Sequence, residues 1–453
     1  MGKKLLLFLS VFLCSGLSAH AAGFADTWGF GSRAVSLGGA FTAVADDYSA
    51  AYYNPAGLAM SSRNYFTLDY MYTSPKIKVE DTQGNDLVIT NPNGSVRTNP
   101  TEYRGSSRGL NLSIPIIGLG INVNDIVNMP INVQFGMAIS MPERSDTMYR
   151  IYSYPVDQPH FLRYGDNIDR IHAAMSLGIE CWKDLVYIGI GAQTMLYGDG
   201  MIYVDGLNTT EANGEAVSEV KQSNLLKMDP LAGIMVTPLN KKLKIGFTFR
   251  DKEQVEIDPL PTLITAIGSP FQGNIGIVMG LYAFYTPREY SLGASYDFDF
   301  LLVSAEADYQ EWSNYKVMPE ETVNELTKTA FANMPDFKNT INYRLGVEWR
   351  INKNANVSLG YCHQPTPVPN QSGVVSNYID LDKDIFSLGG KYTFNVPFAL
   401  NKPMSIGAML SYQLLDTLHV NKDGVEGVTW VDQVSYTVKG DAYAGGINLS
   451  FSW

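Results

Sequence analysis

The sequence lacks most of what a soluble enzyme is built on. Only three of its 453 residues are cysteine. Cys14 falls in an N-terminal leader, and Cys181 and Cys362 are too few for a disulfide framework. No CxxC or Cys/His spacing offers a metal site. Basic residues are outnumbered, 33 Lys and Arg against 45 Asp and Glu, for a net charge of −12. That balance excludes a nucleic-acid partner, which requires basic surface. There is no GxSxG nucleophile elbow, no GxGxxG fingerprint and no P-loop. Past the leader the histidines are His160, His172, His363 and His419. The reading is therefore a non-enzyme with no cofactor and no metal. Beyond the leader no stretch of 18 continuous apolar residues occurs, which excludes a helical membrane protein.

The leader itself is a secretory signal. Lys3 and Lys4 form its positive end, Leu5 to Leu13 its apolar core, and Ala19-His20-Ala21 a small-x-small cleavage site. Residues 1–21 are thus expected to be removed, and the mature chain to start at Ala22. A lipoprotein reading of Cys14 needs a small residue before it, and Leu13 stands there.

What the sequence does hold is glycine (41), tyrosine (27) and alternation. In "YRLGVEW", Tyr343, Leu345, Val347 and Trp349 share one face, and Arg344, Gly346 and Glu348 the other. "VSAEADYQ" (303–310) and "KIGFTFR" (244–250) repeat the pattern. Period two marks strands with unlike faces. The connections discriminate between a sandwich and a barrel. Short ones lie near Trp182–Asp184, Pro238–Lys242, Asp297–Phe300 and Asn352–Asn354. Long polar ones run about 74–106, 142–168, 199–222, 259–283, 316–336, 365–383 and 416–434. Short turns on one side and long loops on the other belong to outer-membrane barrels. Fourteen strands are expected, starting near residues 64, 107, 130, 169, 185, 223, 242, 284, 301, 338, 355, 384, 403 and 435. The fold class is an all-β, 14-stranded antiparallel transmembrane β-barrel of the bacterial outer membrane, spanning 64–453. The last strand, "AYAGGINLSFSW", aligns Tyr443, Ile447, Leu449, Phe451 and Trp453 on one face, the ending that barrel-assembly machinery recognises.

Residues 22–63 do not alternate. "GSRAVSLGGAFTAVADDYSAAYYNPAGLA" reads as short helices around a turn. Some forty small residues cannot bury a core alone. The lumen of the following barrel is the available host, so the segment is expected to be a plug or hatch. Pro55 fixes φ and removes an N–H, Asn54 closes a turn with its side chain, Ala56 follows, and Gly57 supplies backbone freedom.

Together these segments resemble the FadL family of outer-membrane transporters for long-chain fatty acids and other hydrophobic compounds. The similarity begins at Ala22-Gly23-Phe24 and continues through "GGAFTAVADDYSAAYYNPAGLA", with Asn54-Pro55-Ala56 at the hatch motif. It runs on through "YTPREYSLGASYDFD", "ADYQEWSNY", "YRLGVEWRINKNANVSLGYCHQPTPVP", "DKDIFSLGGKYTF" and "YAGGINLSFSW". The resemblance implies a monomeric barrel that passes a long-chain fatty acid, or another hydrophobic small molecule, by diffusion. The ligand would enter a groove between outer loops, reach a pocket gated by the hatch, and leave sideways into outer-membrane lipid past a kinked third strand. Gly136 is the candidate for that kink. The apolar stretch 258–285, with Leu260, Leu263, Ile264 and Phe271, is the candidate groove, and Tyr152 and Phe161 lie on its expected partner loop. Lys338 matches a basic residue that the family sets just before the strand reading here as "FKNTINYRLGVEW", which implies a head-group contact. Arg344 and Arg350 are expected in a lumen network with Glu306, Asp308 and Glu348. At a second basic position this chain carries Asp199 in "MLYGDGMIY", which favours a less charged ligand such as an alkane or aromatic hydrocarbon. A protein-secretion scaffold on the same barrel is the remaining alternative.

Overall fold

The computed structural model describes residues 23–85, 87, 111–142, 160–164, 171–208, 217–268, 271–315, 335–374, 376–396, 402–423 and 435–453. The expected leader lies outside the described residues. The strands are β1 (Tyr65–Asp81), β2 (Leu112–Asn122), β3 (Val133–Ser140), β4 (His160–Phe161), β5 (His172–Trp182) and β6 (Val186–Asn208). They continue as β7 (Val217–Val236), β8 (Leu243–Arg250), β9 (Glu253–Gly268), β10 (Phe271–Thr286), β11 (Glu289–Asp297) and β12 (Leu301–Gln310). The last are β13 (Thr340–Arg350), β14 (Ala355–Gln364), β15 (Tyr378–Ile379), β16 (Lys383–Val396), β17 (Lys402–Val420) and β18 (Tyr436–Ser452).

Fourteen of them close a ring. Taken in order around the wall they are β1, β2, β3, β5, β6, β7, β8, β11, β12, β13, β14, β16, β17 and β18, which returns to β1. Every wall pairing is antiparallel, and β6 joins β7 from Val186↔Val236 to Asp205↔Val217. Closure leaves no free edge in the membrane, the condition a spanning sheet must meet. The wall strands start within six residues of the positions read from alternation, the largest difference being β7, which starts at Val217 and not near 223. Two readings change: β6 and β7 run on as paired strands through much of the expected connection 199–222. The stretch 258–285 is not a loop: β9 and β10 form a hairpin that rises from the β8–β11 connection, and β9 runs parallel to β6 at Val204↔Ile264. Valine, isoleucine and threonine favour that extended form.

The wall is turned inside out relative to a water-soluble protein. Leu410, Ile447, Leu292 and Leu359 are exposed on its outside at 64%, 61%, 58% and 57%. Inward positions between them carry buried polar groups such as Thr67, Asp69, Ser176, Glu306, Asp308, Asn342 and Glu348. So large an exposed apolar band is tolerable only in lipid. Exposed Trp182, Phe298, Phe300, Trp349 and Trp453 mark the end bearing the short turns. Both chain ends of the barrel meet there, where Trp453 N–H donates to Asn64 O at 3.0 Å.

Residues 23–63 fill the lumen. Helical turns at Phe24–Trp28, Ser32–Ser36 and Ala50–Tyr53 lead to a 3-10 turn at Pro55–Met60. Phe30, Leu37, Phe41, Val44 and Ala45 in this segment are fully buried. Within the segment Phe30 stacks on Tyr52 and Phe41 meets Tyr53 edge-on, and the segment shares one core with Met71, Ile77, Val79, Ile114 and Ile116 of the wall.

Candidate ligand path and plug

The plug is held by its turn, by glycines in the wall and by ion pairs. Asn54 is the pivot of the turn. Its Oδ1 accepts from Ala56 N at 3.1 Å, and its Nδ2 donates to Thr42 O at 2.8 Å and Ile234 O at 3.3 Å. Pro55 opens the 3-10 turn, where its missing N–H leaves nothing unpaired. Gly57 presses on Ala45 so closely that a Cβ would overlap the Ala45 carbonyl oxygen.

Around this turn the wall offers glycine. Gly178 pairs with Gly189, which pairs with Gly233, and each faces the segment Asn54–Ala59. Farther round, Gly246 pairs with Gly293 beside Thr42 and Ala43, and Gly346 pairs with Gly360 beside Leu37 and Gly38. These positions lie a few residues above the short turns. The wall here has no side chains, because the plug backbone occupies their place.

Charged contacts complete the seat. Arg33 bridges Asp46 of the plug and Glu348 of β13, the latter at 2.9 Å. Burial alone would raise the Asp46 carboxyl, but Arg33, with Lys244 behind it, holds it down to about 2. Glu306 accepts from Thr42 N at 2.6 Å. Arg344 pairs with Asp308 and also donates to Gly38 O at 3.1 Å. Arg344, Glu306 and Asp308 thus form one lumen cluster, while Glu348 joins a second one built on Arg33 of the plug, a member the sequence did not announce. Arg350 pairs with Asp297 at 2.7 Å beside a short turn, and it stays within electrostatic reach of Glu348 and Arg33.

Above the plug lies a cap from the long connections. β4 pairs with β15 in parallel, and Leu162 N donates to Ile379 O at 2.9 Å. Arg163 and Asp380, both fully buried, pair at 2.7 Å. The Arg163 guanidinium stands over the Trp312 ring, 5.3 Å from its centroid. Among the described residues nothing accepts from Arg163 Nε or Nη2. Lys383 is also buried, and its Nζ lies 3.3 Å from the Tyr164 hydroxyl, which itself donates to Gln413 at 2.6 Å. The cap touches the plug directly, since Thr27 Oγ1 donates to Arg163 O at 3.0 Å and Trp28 packs edge-on against Tyr164.

Between plug tip and wall remains a cavity of about 40 Å³ lined by Asp26, Tyr52, Tyr53, Arg250, Glu289 and Arg344, among others. A benzene-sized ligand needs roughly 150 Å³. This cavity is too small to hold one.

The other sequence-based candidates fall as follows. Gly136 lies on β3 against Leu58, where a Cβ would overlap Leu58 Cδ2. β3 keeps unbroken register with β2 and β5 on both sides of it. Lys338 is exposed just before β13, and its backbone N–H donates to Pro367 O at 2.8 Å. Phe161 packs partly buried against the core. Leu260, Leu263 and Ile264 are on β9 and Phe271 on β10, with Ile264↔Ile275 in register. Their side chains, that of Asp199 and all of Tyr152 lie outside the described residues. Cys181 and Cys362 are both free. Sequence reasoning missed Arg163 and Lys383. The signal available was an arginine inside the otherwise apolar "FLRY".

Residues 13–453 match the family model described as outer membrane protein transport protein (OMPP1/FadL/TodX). Alkane uptake protein A of Marinobacter nauticus is 21% identical over 422 residues, covering 90% of this chain and 86% of that protein. The crystal structure of a Pseudomonas aeruginosa FadL homologue has 16% identity and a TM-score of 0.56, covering 96% of this chain and 99% of that one. The Pseudomonas putida toluene transporter TodX has 13% identity and a TM-score of 0.53, covering 94% and 99%. At these identities the structural matches speak for the fold.

Proposed function

Because this chain belongs to the outer-membrane transport protein family of FadL and TodX, and is thus an outer-membrane transporter of hydrophobic compounds, we propose that its ligand is a long-chain amphiphile with a carboxylate head. One observation carries the reading: Arg163 and Lys383 are buried together beneath the cap, and two of the Arg163 nitrogens have no acceptor among the described residues. A buried cation without full pairing is costly. A carboxylate entering from the outer loops would supply the acceptor, with the charge-assisted geometry that arginine favours. The alkyl chain would follow the aromatic surface of Trp28, Tyr164 and Trp312. The NPA turn, with Asn54, Pro55, Ala56 and Gly57, acts as the hatch that must shift, and the ligand then leaves into the membrane.

The protein is proposed to work as a monomer, to reach the membrane through barrel-assembly machinery acting on its Trp453 end, and to catalyse no reaction. Its similarity to alkane uptake protein A supports a second reading, an uncharged hydrocarbon as ligand.

Binding of oleate and of hexadecane to the purified protein in detergent separates the two, in wild type, Lys383→Met and Lys338→Ala. Weakened oleate binding in Lys383→Met, with hexadecane unaffected, supports the carboxylate reading at the cap. A loss confined to Lys338→Ala moves the head group to the mouth of β13. Binding of hexadecane alone establishes the hydrocarbon reading. Binding of neither ligand returns the scaffold reading to the front.

A further inference from the structure

The outer wall carries a second feature that the transport path does not use. A groove of about 510 Å³ runs over the lipid-facing side of β14, β16, β17, β18 and β1. Its walls are Tyr72, Leu359, Phe386, Leu388, Leu410 and Tyr443, and its floor opens at Gly445, where no side chain fills the row between Tyr443 and Ile447. It is more than three times the roughly 150 Å³ that holds a benzene ring.

The upper end of the groove is cationic. On β1 the outward row continues from Tyr72 through Ser74 to Lys76 and Lys78, both exposed. The Lys76 ammonium stands over Tyr443, 5.0 Å from the ring centroid, so the charged rim is continuous with the apolar lining. Lys78 lies directly across from Lys439 of β18. Like charges placed opposite on neighbouring strands destabilise the pair unless something neutralises them. Glu80 takes Lys439 at 2.6 Å, and Asp441, which faces Lys76 across the ladder, accepts from the Tyr443 hydroxyl at 3.3 Å. Among the described residues no carboxylate lies within ion-pair distance of Lys78.

The height of this rim matters. Phe66 marks the short-turn end of the same outward row. Ten residues separate it from Lys76, which at about 3.4 Å per residue and a tilt of about 40° is a rise of about 26 Å. That equals the height of the apolar band of an outer-membrane barrel, about 25 Å. The lysines therefore stand at head-group level on the outer-loop side, with the groove below them at acyl-chain depth.

We propose that this face binds an outer-leaflet lipid, its phosphate held by Lys78, Lys439 and Lys76 and one acyl chain lying in the groove over Gly445. Phosphate suits a lysine cluster because it accepts several charge-assisted hydrogen bonds at once. The site is separate from the transport path and does not depend on which ligand the lumen carries.

Native mass spectrometry of the purified full-length protein tests it, with phosphatidic acid as the probe, diacylglycerol as its uncharged counterpart and inorganic phosphate as the free anion. Each variant is first shown to keep the heat-dependent gel mobility of a folded barrel. The expected result is retention of phosphatidic acid by wild type and by Lys183→Gln, which alters the opposite end. Retention should fall at least tenfold in Lys78→Gln/Lys439→Gln, and comparably in Gly445→Leu, which fills the groove. Equal retention by all variants overturns the proposal, as does equal retention of diacylglycerol. Displacement of the lipid by millimolar inorganic phosphate also overturns it, since the cluster would then be a free-anion site.

Discussion

Gly189 of β6 lies so close beneath Pro55 that a Cβ on it would overlap both the Pro55 carbonyl carbon and Ala56 N. The two residues are far apart in sequence, and the absence of a side chain on one makes room for the turn formed by the other. Gly189→Val is therefore expected to unseat the Pro55 turn while leaving the ladders to β5 and β7 intact. Overpacking of this kind costs about 1–3 kcal/mol, and here the plug yields before the wall. The expected outcome is higher single-channel conductance in planar bilayers with normal barrel formation. Gly445→Ala is the control, because its Cβ would meet nothing closer than Leu410 Cδ2 at 3.5 Å.

Asn54→Ala removes a buried side chain that makes three hydrogen bonds. Thr42 O and Ala56 N lose their partner inside the lumen. Each buried group left unpaired costs about 1–3 kcal/mol. Amide exchange at Ala56 and in the Thr42 region is expected to accelerate about tenfold or more, with exchange in the wall strands unchanged.

The barrel was legible in the sequence because its physics is local. Alternation along each strand and the contrast between short and long connections both survive without tertiary knowledge. The Asn54 turn was legible for the same reason. The seat of the plug was not, since the pairing of Gly178 with Gly189, and of Gly189 with Gly233, becomes visible only once register is known. Arg33 joins Glu348 across more than 300 residues of chain, which no local pattern announces. Arg350 follows its parity onto the lumen row within reach of Glu348, and its place at the strand end adds Asp297, a partner that parity does not announce. The hairpin β9–β10 escaped because an apolar run rich in glycine and proline fits a buried loop as well as a strand.

Asp26, on the plug tip, supplies a pH dependence. Enclosure in the lumen, with Glu289 nearby, pushes its carboxyl up to about 6. An acid whose docked pKa is raised stabilises the docked state fully below its ordinary value near 3.9, and loses that contribution as pH rises through about 6. The plug tip should therefore be held more firmly at pH 5 than at pH 7.5. Amide exchange of residues 24–29, corrected for intrinsic rate, is expected to show more opening at pH 7.5. Asp26→Asn should abolish the difference. An unchanged pH dependence in that variant would assign it to another group.

The cap offers a prediction about pairing. Arg163 and Asp380 are fully buried, and Arg163 O also receives the Thr27 hydroxyl of the plug. Removing one partner leaves the other charged and desolvated, a loss of about 3–5 kcal/mol, whereas replacing both with apolar side chains of similar volume is often near neutral. Asp380→Leu alone should therefore open the cap, seen as faster proteolysis within residues 160–164 and 376–382. Arg163→Met/Asp380→Leu should restore resistance. The double variant should still fail to hold oleate, because it closes the cap without restoring a cation beside Lys383. If it instead binds oleate as well as wild type, Arg163 serves the architecture of the cap and Lys383 alone receives the head group.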